Sequence, residues 1–299
     1  MAFVYSVRYY ADIGPHVFPL EKYRLLYERL IREGVAGPED FLEPEPASDE
    51  EVALVHTREY IRKLKTGTLS PEEEMRLELP YSRELVEASW LGAGGSILSA
   101  RAALKEGWGM NLAGGFHHAF PDHGEGFCVL NDIAIAIRVL FKKEKKIKKA
   151  AVIDLDLHQG NGTAAIFKND KNVFTFSIHQ ENNYPFFKPP GSYDIGLADG
   201  TGDEEYLVKL KQGLKIAIDK FGPEFIIYQA GADAYRYDQL GGLSLSLEGL
   251  KERDREVLRK AREKGIALSV VLGGGYARER SDTVEIHFNT ARALKEFFV

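Results

Sequence analysis

Five short apolar runs constrain the fold of this 299-residue chain more than any other feature. None of them alternates apolar with polar residues, which is typical of strands buried on both faces of a parallel sheet. In chain order the runs are GMNLAGG, AAVIDLD, NVFTFSIH, EFIIYQAG and IALSVVLGGG. Segments of helical periodicity lie before, between and after them, at about 82–106, 129–142, 203–221, 247–264 and 281–297. This order predicts parallel crossovers and a three-layer α/β/α fold, with helices on both sides of a mainly parallel sheet.

Composition and charge exclude several classes of protein. Hydrophobic residues make up 44% of the chain and no repeat or linker divides it, so we expect a single domain over residues 1–299. The formal charge of -6 gives no general attraction for nucleic acid or anionic lipid. The chain has one cysteine, Cys128, no secretion signal at its start and no apolar stretch of about 20 residues. These features predict a cytoplasmic protein with neither a nucleic-acid nor a membrane partner.

Unusual polar residues follow the predicted strands, at or just after the carboxyl end of each one. They are His117 and His118 after the first run, Asp154, Asp156 and His158 in and after the second, His179 after the third, Asp233 after the fourth and Tyr276 after the fifth. In an open parallel sheet, the carboxyl ends of the strands line the crevice where ligands bind. We therefore expect five segments of the chain to converge on one pocket.

Asp154, Asp156 and His158 stand where a buried strand would ordinarily continue with Val or Ile. Because strand side chains alternate, the three are expected to share one face. Carboxylates crowded into a low-dielectric interior repel each other unless a cation joins them. With Asp233, two carboxylates and one imidazole make a three-ligand site with a position open for water, as catalytic zinc requires. The alternative is that these side chains only hydrogen-bond loop backbone.

Two glycine-rich segments carry residues suited to acid–base chemistry. Neutral imidazole is the usual proton carrier near pH 7, and His117 and His118 follow two glycines that allow a tight turn. Tyr276 follows three glycines at a strand end, from which its hydroxyl could donate to a developing oxyanion. Taken alone, a histidine pair is as often at the surface as in a site, and GGGY is more often only a turn.

Five motifs together resemble one known family. GGFHHAFPDHGEGFCVLNDIAIA, VIDLDLHQGNGTA, SIHQ, GADAYRYDQLGGLSLS and LGGGY, in this order, are similar to the histone deacetylase family of zinc amidohydrolases. HQGNG and GDEEYL look most like the class IV branch and its bacterial relatives. The resemblance is specific from about residue 114 to 276 and loose over the first 80 residues. It implies an arginase-like fold with an eight-stranded, mainly parallel sheet.

The resemblance also implies roles for individual residues. One zinc ion per chain would be held by Asp156, His158 and Asp233, with iron(II) as the alternative metal. His117 would pair with Asp154, and His118 would serve as general base and then general acid. Tyr276 would polarise the amide carbonyl. The side chains of Asp154 and Ser177 would hold a structural potassium ion.

A narrow substrate channel is implied as well. Gly126 and Phe127, together with Phe187 or its neighbour, would wall a channel for an acylated amine, and Cys128 is expected to belong to the core. Many relatives have a second aspartate where this chain has Asn161, so we expect His118 to be less basic than in those enzymes. Residues 66–82 do not match the loop that grips the peptide backbone in eukaryotic members.

These features predict removal of an acetyl or longer acyl group from the side-chain amine of lysine. The enzyme alternative is hydrolysis of acetylpolyamines or small acetylated metabolites. Acidic residues 72–74 would suit polyamines, but the preceding Ser70 and Pro71 favour a helix start. A binuclear manganese ureohydrolase is disfavoured because Gly160 and Tyr235 stand where it would need further carboxylates. A reader of acyl-lysine is the non-enzyme alternative, but it would not need Tyr276 and two histidines beside a metal.

Overall fold

The five predicted strands form the centre of one sheet in the computed structural model, which describes residues 2–299. Its strands are β1 (Phe3–Val4), β2 (Phe41–Leu42), β3 (Trp108–Asn111), β4 (Ala150–Asp154), β5 (Val173–Gln180), β6 (Tyr193–Leu197), β7 (Phe225–Gln229) and β8 (Ala267–Val271). The order across the sheet is β2-β1-β3-β8-β7-β4-β5-β6, and every neighbouring pair is parallel. The parallel sheet is therefore confirmed.

Three strands were not predicted from the apolar pattern. The strands β1 and β2 are only two residues long, too short to show any periodicity, and β6 is partly exposed at the sheet edge. The five predicted strands lie next to one another as β3, β8, β7, β4 and β5. Their carboxyl ends therefore meet along one edge of the sheet, which is the geometry that brings distant segments together.

Helices cover both faces of the sheet. They are α1 (Lys22–Arg32), α2 (Asp49–Val52), α3 (Arg58–Thr66), α4 (Pro71–Leu77), α5 (Arg83–Glu106), α6 (Asp132–Lys143), α7 (Asn161–Phe167), α8 (Asp203–Leu214), α9 (Leu247–Lys264) and α10 (Arg280–Phe298). Helices α5 and α6 pack together, and α8, α9, α10 and α1 pack in succession. Ser70 caps α4, so residues 72–74 do form a helix start. No helix within residues 2–299 has an apolar stretch long enough to cross a bilayer.

Glycines let α5 approach the rest of the molecule closely. The helix runs unbroken through GAGG at 92–95, so these glycines do not end it. A Cβ at Gly94 would overlap the backbone carbonyl of Glu45, and one at Gly95 would overlap the Tyr9 hydroxyl. At Gly92, by contrast, the nearest atom to a Cβ would be a ring carbon of Phe116 at 3.5 Å, an ordinary contact.

Gly94→Ala is expected to lower the free energy of unfolding by about 1–3 kcal/mol, because the added methyl forces the backbone at Glu45 to move. Gly92→Ala is the matched control. It has room for the methyl and is expected to gain about 0.5–1 kcal/mol from the higher helix propensity of alanine. Urea denaturation of both variants measures the difference. Equal stability of the two would contradict close packing at Gly94.

Candidate metal centre

Asp154 ends β4, and the chain then leaves the strand before it reaches Asp156 and His158. The prediction that strand alternation places all three on one face is therefore wrong in its reason. Local hydrogen bonds hold them instead: the Asp156 amide donates to Asp154 Oδ1 at 3.2 Å, and the His158 amide donates to Asp156 Oδ1 at 3.0 Å. The leucines between them, at positions 155 and 157, are fully buried and belong to the hydrophobic core.

Asp156, His158 and Asp233 come together at the carboxyl ends of β4 and β7. Each offers one ligand atom, and these atoms lie within 4.8 Å of one another. His158 Nδ1 is 3.1 Å from Asp156 Oδ1 and 3.2 Å from Asp233 Oδ2. The side chains are buried, and Asp233 Oδ2 is a buried atom without a hydrogen-bond partner among residues 2–299. The site thus has two carboxylates and one imidazole, and one of its carboxylate oxygens has no hydrogen-bond partner in the described part of the chain. This set of ligand atoms fits a divalent cation.

The negative charges of Asp156 and Asp233 also favour a positive charge between the three side chains. Burial opposes protonation of His158, but its hydrogen bond to Asp156 and the nearby carboxylate of Asp233 outweigh this effect and raise the pKa of His158 to about 10. Burial, together with the negative charge of Asp156, raises the pKa of Asp233 to about 6. The carboxylates thus attract a positive charge to the point that a metal ion would occupy.

A glycine loop gives the centre its compact shape. The Gly274 amide donates to Asp156 Oδ2 at 2.9 Å, and the Leu157 amide donates to Asp233 Oδ1 at 2.9 Å. A Cβ at Gly274 would overlap Asp233 Oδ2 and come within 2.7 Å of Asp156 Oδ2. Only glycine at this position lets the backbone approach the two carboxylates so closely.

His117 and His118 are held by a buried loop that follows β3. Asp132, at the start of α6, accepts hydrogen bonds from the Gly115 and Phe116 amides at 3.0 and 2.7 Å, which fixes the turn before the histidines. The two imidazole rings lie 4.1 Å apart. The turn therefore places consecutive imidazoles side by side next to the metal centre.

The two histidines differ in their partners and in their charge. His117 Nδ1 is 2.8 Å from Asp154 Oδ2; burial opposes its protonation, but the carboxylates of Asp154 and Asp156 raise its pKa to about 9. His118 Nδ1 is 2.7 Å from Asn161 Oδ1, and burial, reinforced by the positive charges of the other two histidines, lowers its pKa well below the usual value. At neutral pH, His118 is uncharged and can accept a proton.

Tyr276 lies beside the metal centre, directly after the glycine loop. Its amide donates to Asp238 Oδ2 at 2.7 Å, and its ring packs at 6.1 Å from Phe127. Burial raises the pKa of the Tyr276 hydroxyl well above its usual value, and the charges of Asp156 and Asp233 add to this effect. The hydroxyl therefore keeps its proton and can donate a hydrogen bond.

A pocket of about 190 Å³ opens from these side chains to the surface. The residues that line it include His118, Gly126, Phe127, His158, Tyr184 and Tyr276. Phe187 is 72% exposed and lies outside it, so the placement expected for Phe187 is wrong. Tyr184 stands on the wall instead, with its ring 5.0 Å from that of His118.

The remaining predicted residues lie close by. Asp154 and Ser177 are paired across β4 and β5, and Ser177 Oγ is 2.9 Å from His179 Nδ1. Cys128 is buried, and burial raises the pKa of its thiol well above the usual value, so it stays a protonated core residue.

Sequence reasoning missed three further residues near the pocket. Glu78 lines its mouth with a left-handed φ of 59°, and Glu125 contacts Asn161. Lys22 donates to the Gly273 carbonyl, and burial lowers its pKa to about 8. No sequence pattern marked Glu78 or Lys22 as residues of the site, because the groups that they contact come from distant parts of the chain.

Comparison with known proteins gives consistent results. A model of the histone deacetylase domain matches residues 16–291. Histone deacetylase 2 of Arabidopsis thaliana is 34% identical over 283 residues, which cover 90% of this chain and 73% of the plant protein. The acetoin utilization protein AcuC of Bacillus subtilis is 32% identical over 301 residues, which cover 91% of this chain and 76% of that protein.

A solved structure shows the same fold. The crystal structure of the HDA15 HD domain is similar with a TM-score of 0.78 at 24% identity, over 99% of this chain and 90% of that chain. The family match includes every segment that contributes a side chain to the centre, from Lys22 to Tyr276. On this evidence the chain belongs to the histone deacetylase family and is an amide hydrolase that acts on an acetylated substrate.

Proposed function

We propose that the protein is a zinc-dependent enzyme that removes an acetyl or longer acyl group from the side-chain amine of lysine, in the cytoplasm. We further propose that residues 1–299 form one deacetylase domain of the class IV type. The observation that carries the proposal is the cluster of Asp156, His158 and Asp233, with ligand atoms within 4.8 Å of one another, beside an uncharged His118.

Asp156, His158 and Asp233 would hold the metal. A divalent ion there supplies Lewis-acid chemistry, which polarises the acyl oxygen and makes water acidic enough to attack an amide at neutral pH. Zinc suits two carboxylates and one imidazole, and iron(II) is the alternative. The pair of Asp154 and Ser177 would hold a potassium ion through oxygen atoms on neighbouring strands.

His118 would move the proton. Its Nδ1 contacts Asn161, so Nε2 is the nitrogen left to accept a proton from the attacking water and to pass one to the departing amine. His117 is paired with Asp154, and its ring lies 4.1 Å from that of His118. The Tyr276 hydroxyl would donate to the acyl oxygen as negative charge develops there.

The shape of the pocket supports a linear substrate. Its volume of about 190 Å³ is below the roughly 300–1,000 Å³ of pockets for drug-sized ligands, and the aromatic side chains of Phe127 and Tyr184 line it. An acylated lysine side chain, which is long and apolar up to its amide, fits these walls. The Glu78 carboxylate at the mouth favours the alternative, an acetylpolyamine, whose free amines are positively charged.

A substrate panel tests the proposal. We expect the zinc-loaded protein to release carboxylate from acyl-lysine peptides, to lose this activity on chelation and to regain it with zinc. The panel contains peptides with acyl chains of increasing length, and acetylspermidine. Release from acetylspermidine alone would overturn the lysine assignment, and release that persists after chelation would overturn the metal assignment.

A further inference from the structure

Glu125 contacts two residues of the site without lining the pocket. Its Oε1 accepts hydrogen bonds from Asn161 Nδ2 at 2.5 Å and from the Tyr184 hydroxyl at 3.1 Å. The other carboxylate oxygen is 3.5 Å from His123 Nε2, and the side chain is 18% exposed. Burial opposes ionisation of Glu125, but hydrogen bonds from His123, Asn161 and Tyr184 lower its pKa, so it is a carboxylate at neutral pH.

These contacts decide which way the Asn161 amide points. An asparagine side chain presents an oxygen that only accepts and a nitrogen that only donates, so its partners fix its orientation. Glu125, as a carboxylate, can only accept, and it therefore selects the nitrogen. The Gly162 amide can only donate, and it reaches Asn161 Oδ1 at 3.0 Å. Both partners thus leave the oxygen facing His118.

The orientation of Asn161 in turn decides which nitrogen of His118 carries the proton. Asn161 Oδ1 lies 2.7 Å from His118 Nδ1 and can only accept, so Nδ1 must be the N–H. In a neutral imidazole the other nitrogen, Nε2, then holds a lone pair. A reversed amide would turn its N–H₂ group toward Nδ1 and move the ring proton to Nε2, where it would block proton acceptance.

We propose that Glu125 is a positioning residue for the hydrolytic reaction: by binding Asn161 Nδ2 it holds His118 in the tautomer whose Nε2 accepts a proton. The inference rests on the proposed function, in which His118 is the general base. The direct partner of His118 is the amide of Asn161, and the carboxylate of Glu125 acts on His118 through this amide. Glu125 therefore fixes the tautomer of His118 without contacting its ring.

Three substitutions test this role on the zinc-loaded protein. Glu125→Ala is expected to lower kcat about tenfold, within the range for residues that orient a catalytic group through a neighbour. Glu125→Gln keeps an accepting oxygen and is expected to retain most activity. In the Glu125→Ala protein, adding Asn161→Asp is expected to restore kcat to within about threefold of the original, because the introduced carboxylate accepts from His118 Nδ1 in either orientation.

Asn161→Asp in the presence of Glu125 is expected to bring no gain, because two carboxylates in contact compete for one proton. Asp122→Asn is the matched control, because it removes an exposed acid from the same loop. Asp122 contacts His123 rather than Asn161, so its substitution is expected to keep kcat within about twofold of the original. A loss in Glu125→Ala that Asn161→Asp does not repair would assign Glu125 a purely structural role and overturn the proposal.

The tautomer can be read without any assay. ¹⁵N NMR of the unsubstituted zinc-loaded protein is expected to show the His118 proton on Nδ1, and Glu125→Ala is expected to show a mixture of both tautomers. A proton on Nε2 in the unsubstituted protein would overturn the inference. If no acylated amine is hydrolysed but the Nδ1 tautomer is found and depends on Glu125, the proposed function fails and the positioning of His118 by Glu125 stands.

Discussion

Asp156→Ala is expected to abolish tight metal binding and, with it, amide hydrolysis. Asp156 offers one of the three ligand atoms and also orients His158, whose Nδ1 lies 3.1 Å from its carboxylate. Loss of this carboxylate removes a ligand and half of the negative charge that attracts the ion. The metal content, measured by elemental analysis after dialysis, is expected to fall from about one ion per chain to below about 0.1, because two ligands retain a metal poorly.

Asp219→Ala serves as the control for this experiment. Asp219 is an acidic residue that pairs with Lys260 and Lys264 on the surface, far from the pocket, and its loss is expected to leave metal content unchanged. Circular dichroism of both variants checks that the fold is retained. Undiminished metal in the Asp156→Ala protein would refute its assignment as a ligand.

Tyr276→Phe is expected to lower kcat by about 10²–10³-fold while the metal content stays the same, which is the loss seen when one donor to an oxyanion is removed. The substitution deletes only the hydroxyl. The backbone hydrogen bond to Asp238 and the ring contact with Phe127 remain, so the pocket keeps its shape. Steady-state kinetics with an acyl-lysine peptide, together with elemental analysis, separate a catalytic loss from a metal loss.

Tyr237→Phe is the matched control, since it removes a hydroxyl from a nearby tyrosine that is 54% exposed. Its kcat is expected to stay within about twofold of the original, as for most surface substitutions. Full activity of Tyr276→Phe would remove the donor role that we assign to Tyr276.

The strands and the positions of the polar residues could be predicted because both depend on local pattern. A run such as EFIIYQAG has no polar face, so it can only be buried on both sides of a sheet, and β7 is indeed buried throughout. Residues just after such strands meet at the sheet edge whatever the loops do. For this reason Asp156, His158 and Asp233 could be grouped from sequence, although 75 residues or more separate Asp233 from the other two.

The loops could not be predicted in the same way. Phe187 and Tyr184 are three positions apart in one aromatic loop, and nothing in the loop sequence shows which side chain turns inward. Tyr184 does so through its contact with Glu125, a residue 59 positions away. The direction of a loop side chain depends on the partner it meets, and that partner belongs to another loop.

The sequence by itself thus determined the parallel sheet, the edge at which ligands collect and the residues suited to hold a metal, because an unbroken apolar run and the polar residues that follow it are features of a few neighbouring residues. Only the tertiary structure decided which aromatic side chain lines the pocket and that Asn161 hydrogen-bonds to Glu125. Hydrogen-bond orientation depends on atoms within about 3 Å of each other, and the folded backbone alone brings loops so far apart in the chain to that distance.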